Sequence, residues 1–404
     1  MKAKERRGAS EKVDSDTTRI NYKEKIRRYW ITRFYRVLIL TLIAAGLGAV
    51  LYTQWRNKIY TEVIPINTTN VRFVSGNTIR NLGGFILQYS KDGISLTDDK
   101  GAAVWNQPYE MQSPRIAICQ STVAVADYNG STIYIFNTQG KLGEINTNLP
   151  IRAFDVAADG FVLVALDDRN TTRINLYAAD GTEISTNKTT MNDSGYPVSI
   201  SVSPNGRLVG VSFFFVGDGA SQTRIAFFNF GPVGQNVNNL MSSYNYADSL
   251  APHLKFMNND TAFAVSVDRI MFYSGNERPI SIAEVLISER IRSIYNNEEY
   301  VGLIFHAKSG AELNRGEALY RLDIYDKRGN FVLSKEFDFE YNEIIFTRDG
   351  FIIYNELDVM ICNINGTERY NGIFDKVTTL FMPSGTINRF IAVTRETIDL
   401  LEFR

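Results

Sequence analysis

Two neighbouring stretches, "IRAFDVAADGFVLVALDD" (residues 151–168) and "INLYAADGTEI" (residues 174–184), indicate the architecture of the chain. Each is a pair of largely apolar strands joined by a polar turn that contains Asp-Gly. Asp-Gly and Asn-Gly supply the positive φ angles that two-residue hairpins require. The two hairpins place four short strands within about 40 residues, which is typical of one blade of a β-propeller.

The same pattern recurs along the chain. Further strand–turn–strand units with a glycine in the turn occupy residues 94–105, 133–145, 322–337 and 359–370. With the strand pairs that precede them, the repeats divide the chain into units at roughly 70–110, 113–148, 150–190, 196–238, 251–287, 290–338, 340–374 and 376–404. The sequence therefore predicts an all-β fold, a β-propeller of eight blades, with seven blades as the alternative.

The last unit, residues 376–404, has strands for three of its four positions. The missing strand is available as "IYTEVIPI" at residues 59–66. Propellers often close by letting one terminus complete the blade that the other terminus begins, because closure removes a bare sheet edge. We therefore predict that residues 59–404 form the propeller and that strand 59–66 closes it.

An apolar segment precedes the propeller. Nineteen residues without a formal charge separate Arg36 from Arg56, a helical length of about 28 Å that matches a bilayer core. Aromatic residues flank both ends, as expected at membrane interfaces: Trp30, Phe34, Tyr35, Tyr52, Trp55 and Tyr60. The sequence predicts a transmembrane helix over residues 37–55 that acts as a signal anchor, with a cleaved export signal as the alternative.

The charge distribution predicts the orientation of this anchor. Residues 1–36 contain twelve Lys or Arg against five acidic residues, a net charge of +7, and the rest of the chain carries a net charge of −8. Basic flanks stay in the cytoplasm. We expect a single-pass protein of the cell membrane with a cytoplasmic tail over residues 1–36, disordered over residues 1–20, and an extracytoplasmic C-terminal domain.

Some repeats resemble those of known propellers. Asp98, Gly101 and Trp105 match the pattern of quinoprotein-like and outer-membrane-assembly-type repeats, whereas the other units keep the glycine and lack the tryptophan. "SPNGRLVGVS" (residues 203–212) looks like a strand of WD40 or TolB-type blades. The whole plan is similar to uncharacterised membrane-anchored propeller families of bacteria. The resemblance implies architecture and location but no established activity.

Histidine and cysteine are scarce. His253 and His306 lie in different units, so the spacing of a metal site or of a catalytic triad is missing, and we expect surface or strand positions for both. Cys119 and Cys362 lie in strands of the second and seventh units. We predict that they are buried free thiols, because a disulfide needs Cα atoms within about 7 Å.

Acidic doublets and sequons also have structural explanations. Asp98-Asp99 and Asp167-Asp168 lie at strand ends and fit ordinary turns, with calcium ligands or catalytic carboxylates as the alternative. Sequons occur at Asn67, Asn129, Asn170, Asn187, Asn192, Asn259 and Asn365, and whether they are glycosylated stays open. We therefore assign no catalytic, cofactor-binding or metal-binding residue and expect no cofactor.

The leading functional prediction is a non-catalytic platform that binds an envelope protein or polymer through a rim or the central funnel. The alternatives are an enzyme, either a quinone-dependent oxidoreductase or a glycan hydrolase with two funnel carboxylates about 5–10 Å apart, and a sensor coupled through the span. The basic tail is explained by the adjoining membrane, so we expect no nucleic-acid partner. The small-residue pairs Ala44/Gly48 and Ala45/Ala49 would suit a weak homodimer through the span.

Overall fold

The computed structural model describes residues 22–404 except 75, 170, 191–193, 218, 238, 308–317 and 387. The chain divides into a helical unit that ends at Lys58 and a β unit over Ile59–Arg404. The predicted disorder of residues 1–20 and the sequons at Asn170 and Asn192 lie outside the described residues.

The helical unit is a single α-helix, α1 (Tyr22–Arg56). It is longer than the predicted span because its basic and aromatic N-terminal part contains no Gly or Pro that would end a helix. Its 29-residue stretch Ile26–Gln54 contains an 18-residue window with a mean hydropathy of 2.1, and the stretch is long and apolar enough to cross a membrane. The hydroxyl groups of Thr32, Thr41 and Thr53 donate to backbone carbonyls one turn earlier, so they need no other partner.

Within the described residues, the β unit contains eight four-stranded antiparallel sheets, which confirms the prediction of eight blades. Blade 1 comprises β2 (Thr78–Leu82), β3 (Phe85–Tyr89), β4 (Gly93–Thr97) and β5 (Ala103–Pro108), and blade 2 comprises β6 (Pro114–Cys119), β7 (Thr122–Asp127), β8 (Thr132–Asn137) and β9 (Gly140–Asn146). Blade 3 comprises β10 (Ile151–Val156), β11 (Val162–Asp168), β12 (Thr171–Tyr177) and β13 (Glu183–Thr190), and blade 4 comprises β14 (Tyr196–Val202), β15 (Leu208–Gly217), β16 (Ala220–Asn229) and β17 (Leu240–Ala247). Blade 5 comprises β18 (His253–Phe256), β19 (Thr261–Val265), β20 (Arg269–Ser274) and β21 (Ile280–Leu286), and blade 6 comprises β22 (Ser293–Asn296), β23 (Tyr300–His306), β24 (Tyr320–Asp326) and β25 (Phe331–Phe337). Blade 7 comprises β26 (Glu343–Phe346), β27 (Gly350–Tyr354), β28 (Asp358–Asn363) and β29 (Glu368–Ile373), and blade 8 comprises β30 (Leu380–Pro383), β31 (Arg389–Val393), β32 (Thr397–Phe403) and β1 (Val63–Asn70). A 3-10 helix over Gly234–Val237 lies between β16 and β17.

The N-terminal strand completes blade 8. β1 pairs antiparallel with β32, from Val63 opposite Phe403 to Asn70 opposite Thr397. The predicted closing strand, residues 59–66, was therefore placed four residues too early. β32 ends at Phe403, which lies opposite Val63, and the carbonyl of the following residue, Arg404, accepts the backbone N–H groups of Thr61 and Glu62. The ladder then shifts register between Pro65 and Asn67, which suits a proline that has no N–H to donate.

The hydrophobic core is divided among the eight blade interfaces. Each cluster of buried apolar side chains joins two neighbouring blades. Ile79 and Ile86 of blade 1 pack with Leu380 and Ile391 of blade 8, so the ring is closed by packing as well as by strand pairing. The all-round burial of these strands explains why their sequences contain continuous apolar runs.

The blades expose two rims that differ in their connections. The connections from the fourth strand of one blade to the first strand of the next, and from second to third strands, lie on what we call the first rim. The connections from first to second and from third to fourth strands lie on the opposite, second rim. Gly206, in a first-to-second turn, has φ of +68°, and a Cβ there would lie 2.7 Å from the Phe161 ring, so this turn requires glycine.

Candidate functional site

The structure places the histidines and cysteines in separate blades. His253 begins β18, His306 ends β23, and Cys119 and Cys362 lie in β6 and β28. Both cysteines are free thiols, as predicted. Cys362 is buried, whereas Cys119 is only partly buried, which corrects the expectation of full burial. Burial raises the pKa of Cys119 to about 11 and that of Cys362 to about 12, so neither thiol is an activated nucleophile.

The two acidic doublets have different partners, backbone N–H groups for Asp98 and arginine side chains for Asp167 and Asp168. Asp98 Oδ1 accepts the backbone N–H groups of Lys100 (2.9 Å) and Ala102 (2.7 Å), which confirms the predicted turn. Asp168 Oδ2 accepts from Arg173 Nε at 2.8 Å, and Asp167 pairs with Arg152. Among the described residues, no group of three or more His, Cys, Asp or Glu side chains could hold a metal ion.

The first strands of neighbouring blades contact one another, as β10 and β14 do, and surround a central channel. Toward the second rim, side chains meet across this channel. Gln120 Nε2 in blade 2 donates to Glu298 Oε1 in blade 6 at 3.2 Å, although these blades stand opposite each other in the ring. Asn258 Nδ2 of blade 5 donates to the Glu298 carbonyl at 3.1 Å. The channel is therefore narrowed to hydrogen-bond distance at this level.

A buried carboxylate cross-links three of the innermost strands. Asp155, 4% exposed, accepts hydrogen bonds from Ser201 Oγ (2.9 Å) and Val202 N (3.0 Å) through Oδ2. Its Oδ1 pairs with Lys255 Nζ at 2.6 Å. Blades 3, 4 and 5 are thus tied together beside the channel. Sequence analysis missed this network, and the one local signal was an aspartate inside the apolar run of β10.

Arginine and tyrosine side chains of blades 2 and 3 form a layered patch on the first rim. The Arg115 guanidinium lies 4.7 Å from the Tyr128 ring centroid, and the Arg152 guanidinium lies 6.0 Å from it. Arg152 also donates to Tyr128 Oη (3.3 Å) and Asn129 Oδ1 (2.8 Å) and pairs with Asp167. We call Arg115, Tyr128 and Arg152 the first-rim patch.

Two cavities adjoin the first-rim patch. One of 210 Å³ is lined by all three residues of the patch and by the start of β10. The other, of 260 Å³, lies between blades 3 and 4 and is lined by Arg152, Asp167 and Tyr196, among others. Tyr128 and Tyr196 are both exposed. The rim therefore presents aromatic and cationic groups beside concave surface, an arrangement suited to binding a partner.

A third first-rim cavity, of 630 Å³, lies between blades 5 and 6. His253 lines it, packs against Phe263 with ring centroids 5.3 Å apart, and has no hydrogen-bond partner for its buried Nε2 within the described residues. Burial lowers the pKa of His253 to about 4, so the imidazole is neutral at physiological pH. The sequence predicted a surface or strand position for His253, which begins β18, and nothing in its local pattern indicated this cavity.

A groove of 260 Å³ between blades 7 and 8 is bordered by the closing strand, through Val63, Pro65 and Thr68. The Lys376–Asp399 ion pair, 2.8 Å long, lies in this groove. Thr397 Oγ1 also donates to Asp399 at 2.9 Å. Lys376 and Asp399 are therefore paired with each other.

Comparisons with known proteins agree with the fold. No curated protein matches the sequence. The structure is similar to that of BamB from Moraxella catarrhalis, with a TM-score of 0.50 and 11% identity over 85% of this chain and 100% of that chain. It is also similar to apo AztD from Citrobacter koseri, with a TM-score of 0.50 and 9% identity over 79% of this chain and 94% of that chain.

Identities this low establish the propeller fold and nothing finer. The family comparison covers most of the chain. A family model described as a family of unknown function (DUF5711) matches residues 56–403, which is nearly the whole β unit. The chain therefore belongs to this family.

Proposed function

We propose that the protein is a membrane-anchored, non-catalytic binding platform. In this proposal α1 anchors the chain, the basic tail stays in the cytoplasm, and the propeller binds an envelope protein or polymer outside the cytoplasm. The orientation is supported by the net charge of +7 over residues 1–36. The binding role is supported by the first-rim patch and its two cavities.

The observation that carries the binding role is the stacking of Arg115, Tyr128 and Arg152. Tyrosine and arginine are enriched among the residues that dominate binding energy at interfaces. Here Tyr128 is 37% exposed, and the guanidinium groups beside its ring restrict its motion. Less side-chain entropy is then lost when a partner binds.

The two arginines of the first-rim patch differ in their ion pairs. Arg152 is paired with Asp167, whereas Arg115 has no ion pair with a described residue. Its guanidinium is exposed and remains free to donate hydrogen bonds to an anionic group of a partner. A partner that presents a carboxylate or phosphate beside an apolar or ring-shaped surface would match both parts of the patch.

Site-specific photo-crosslinking in intact cells tests this proposal. A photoreactive amino acid replaces Tyr128 in the full chain, and adducts are identified by mass spectrometry. The matched control carries the same amino acid at Phe331, which is 57% exposed and begins a fourth strand on the second rim. We expect a defined adduct at position 128 that is absent at position 331.

A second pair of variants tests the role of charge. Arg115→Glu should abolish the adduct at position 128, whereas Lys100→Glu, an exposed turn residue on the second rim, should leave it unchanged. The same adducts from both positions, or no loss with Arg115→Glu, would overturn the binding role. Chemical turnover of the captured partner would overturn the non-catalytic part of the proposal.

A further inference from the structure

The cavity between blades 5 and 6, here the blade 5–6 cavity, has the size of a small-molecule site. Its 630 Å³ falls within the range of about 300–1,000 Å³ that is common for ligand pockets. It is lined by the ends of strands and connections on the first rim: Pro252, His253, Val265, Ser266, Val267, Ser288, Glu289, Arg290, Ile291, Arg292, Ser293 and Ile294. Each of these residues lies in a described part of the chain.

The charges that line the cavity leave a positive excess. Glu289 is committed to Arg321, whose Nη2 donates to Glu289 Oε1 at 2.7 Å. Arg290 is exposed and has neither an ion pair nor a side-chain hydrogen bond with a described residue. His253 contributes no charge, because burial keeps it neutral. Arg290 is thus a cation without a counter-charge at the edge of a concave surface.

The second arginine of the cavity is held in place by aromatic rings. The Arg292 guanidinium lies 4.7 Å from the Tyr320 ring centroid and 5.7 Å from that of Tyr341. Its one ion pair with a described residue, Glu340, is long at 3.4 Å and involves Nη2, and its Nη1 lies 3.5 Å from His306 Nε2. These contacts hold the guanidinium beside residues that do not line the cavity, so Arg290 is the cation that remains available to an anion there.

The remaining walls are largely apolar. Five aliphatic or proline side chains line the cavity: Pro252, Val265, Val267, Ile291 and Ile294. Such walls favour a ligand with an apolar body, because the burial of apolar surface on both the wall and the ligand stabilises the complex. The combination of this wall with an uncompensated arginine restricts the chemistry of the ligand to an anion that has an apolar part.

We propose that the blade 5–6 cavity binds a small amphiphilic anion, with its anionic group at Arg290 and its apolar body against the aliphatic wall. This site goes beyond the binding platform described above. It lies in different blades from the first-rim patch and shares no residue with it. Failure of crosslinking at Tyr128 would therefore not affect this proposal. Failure of the anionic probes to bind would likewise not affect the binding role of the first-rim patch.

Saturation-transfer NMR on the full chain in lipid nanodiscs tests the site with three probes. Acetyl-Leu-Leu with a free carboxylate and phenyl phosphate are the anionic probes, and acetyl-Leu-Leu amide is the neutral one. We expect at least one anionic probe to bind. The amide should bind about tenfold more weakly or not at all, because it lacks one charge-assisted hydrogen bond to the arginine. Equal binding of carboxylate and amide, or no binding of either anion, would overturn the proposal.

Variants locate the binding within the molecule. Arg290→Gln should weaken the bound anion about tenfold, whereas Arg278→Gln, an exposed arginine of blade 5 on the second rim, should have no effect. Val267→Trp, at an exposed turn that lines the cavity, should block binding without disturbing the core. Unchanged binding in both Arg290→Gln and Val267→Trp would show that the probes bind elsewhere and would refute the site.

Discussion

Replacing Tyr60 with alanine should weaken the closure of the propeller. Tyr60 precedes β1, yet it is only 4% exposed and packs between blades 7 and 8. Its ring meets Phe403 edge to face, with centroids 5.8 Å apart. Its backbone N–H donates to the Arg369 carbonyl at 2.6 Å, and the Arg369 guanidinium lies 4.4 Å from the ring and bonds to the hydroxyl.

The magnitude follows from these contacts. Truncation of a buried aromatic side chain to alanine costs about 3–5 kcal/mol of unfolding free energy. Tyr60→Phe keeps the ring and loses only the hydroxyl that bonds to Arg369, so its cost should be about 1.5–3 kcal/mol. We therefore expect the order wild type, Tyr60→Phe, Tyr60→Ala in decreasing stability.

The assay is denaturant unfolding of the full chain in detergent micelles, followed by near-ultraviolet circular dichroism and tryptophan fluorescence. Ile66→Ala is the matched control, because Ile66 lies within β1 at the register shift and is 45% exposed. Its effect should stay within about 0.5 kcal/mol. A loss below about 1 kcal/mol for Tyr60→Ala would contradict the view that this segment locks blades 7 and 8 together.

Three further predictions concern the buried polar groups and the membrane. Burial lowers the pKa of His253 from 6.5 to about 4, so about 3 kcal/mol of unfolding free energy should be present in full above pH 6.5 and lost as the pH falls from 6.5 toward 4. His253→Gln should remove this part of the pH dependence of the unfolding free energy. An unchanged pH profile in this variant would contradict the assignment. Asp155→Ala should cost about 3–5 kcal/mol because it leaves Lys255 uncompensated, and a double-mutant cycle with Lys255→Ala in the same assay should show strong coupling, whereas additive losses would argue against the ion pair. Protease added to spheroplasts should remove the propeller and spare residues 1–36, and a protected propeller with a digested tail would reverse the orientation.

Most of the fold could be predicted because its determinants are local. The hairpin at Gly181 needs only an Asp-Gly turn between alternating strands, and turns that contain a glycine with a positive φ angle recur in most blades. The membrane-compatible helix likewise follows from an uninterrupted apolar run, since backbone hydrogen bonds within a helix need no distant partner. The location of the closing strand was less certain from sequence. Residues 59–62 have strand-like composition, but pairing depends on where the partner strand ends, and β32 ends at Phe403, opposite Val63.

The candidate sites depended on tertiary structure alone. Asp155 and Lys255 are 100 positions apart and Gln120 and Glu298 are 178 positions apart, yet each pair is in hydrogen-bond contact. Their meeting is set by the closure of eight blades into one ring, which brings first strands from different blades around a shared channel. Arg290 illustrates the same limit, because only the packing of blade 5 against blade 6 gives this exposed loop residue an apolar cavity beside it. Residue order determines strands and turns through short-range geometry, whereas ring closure determines which side chains face one another.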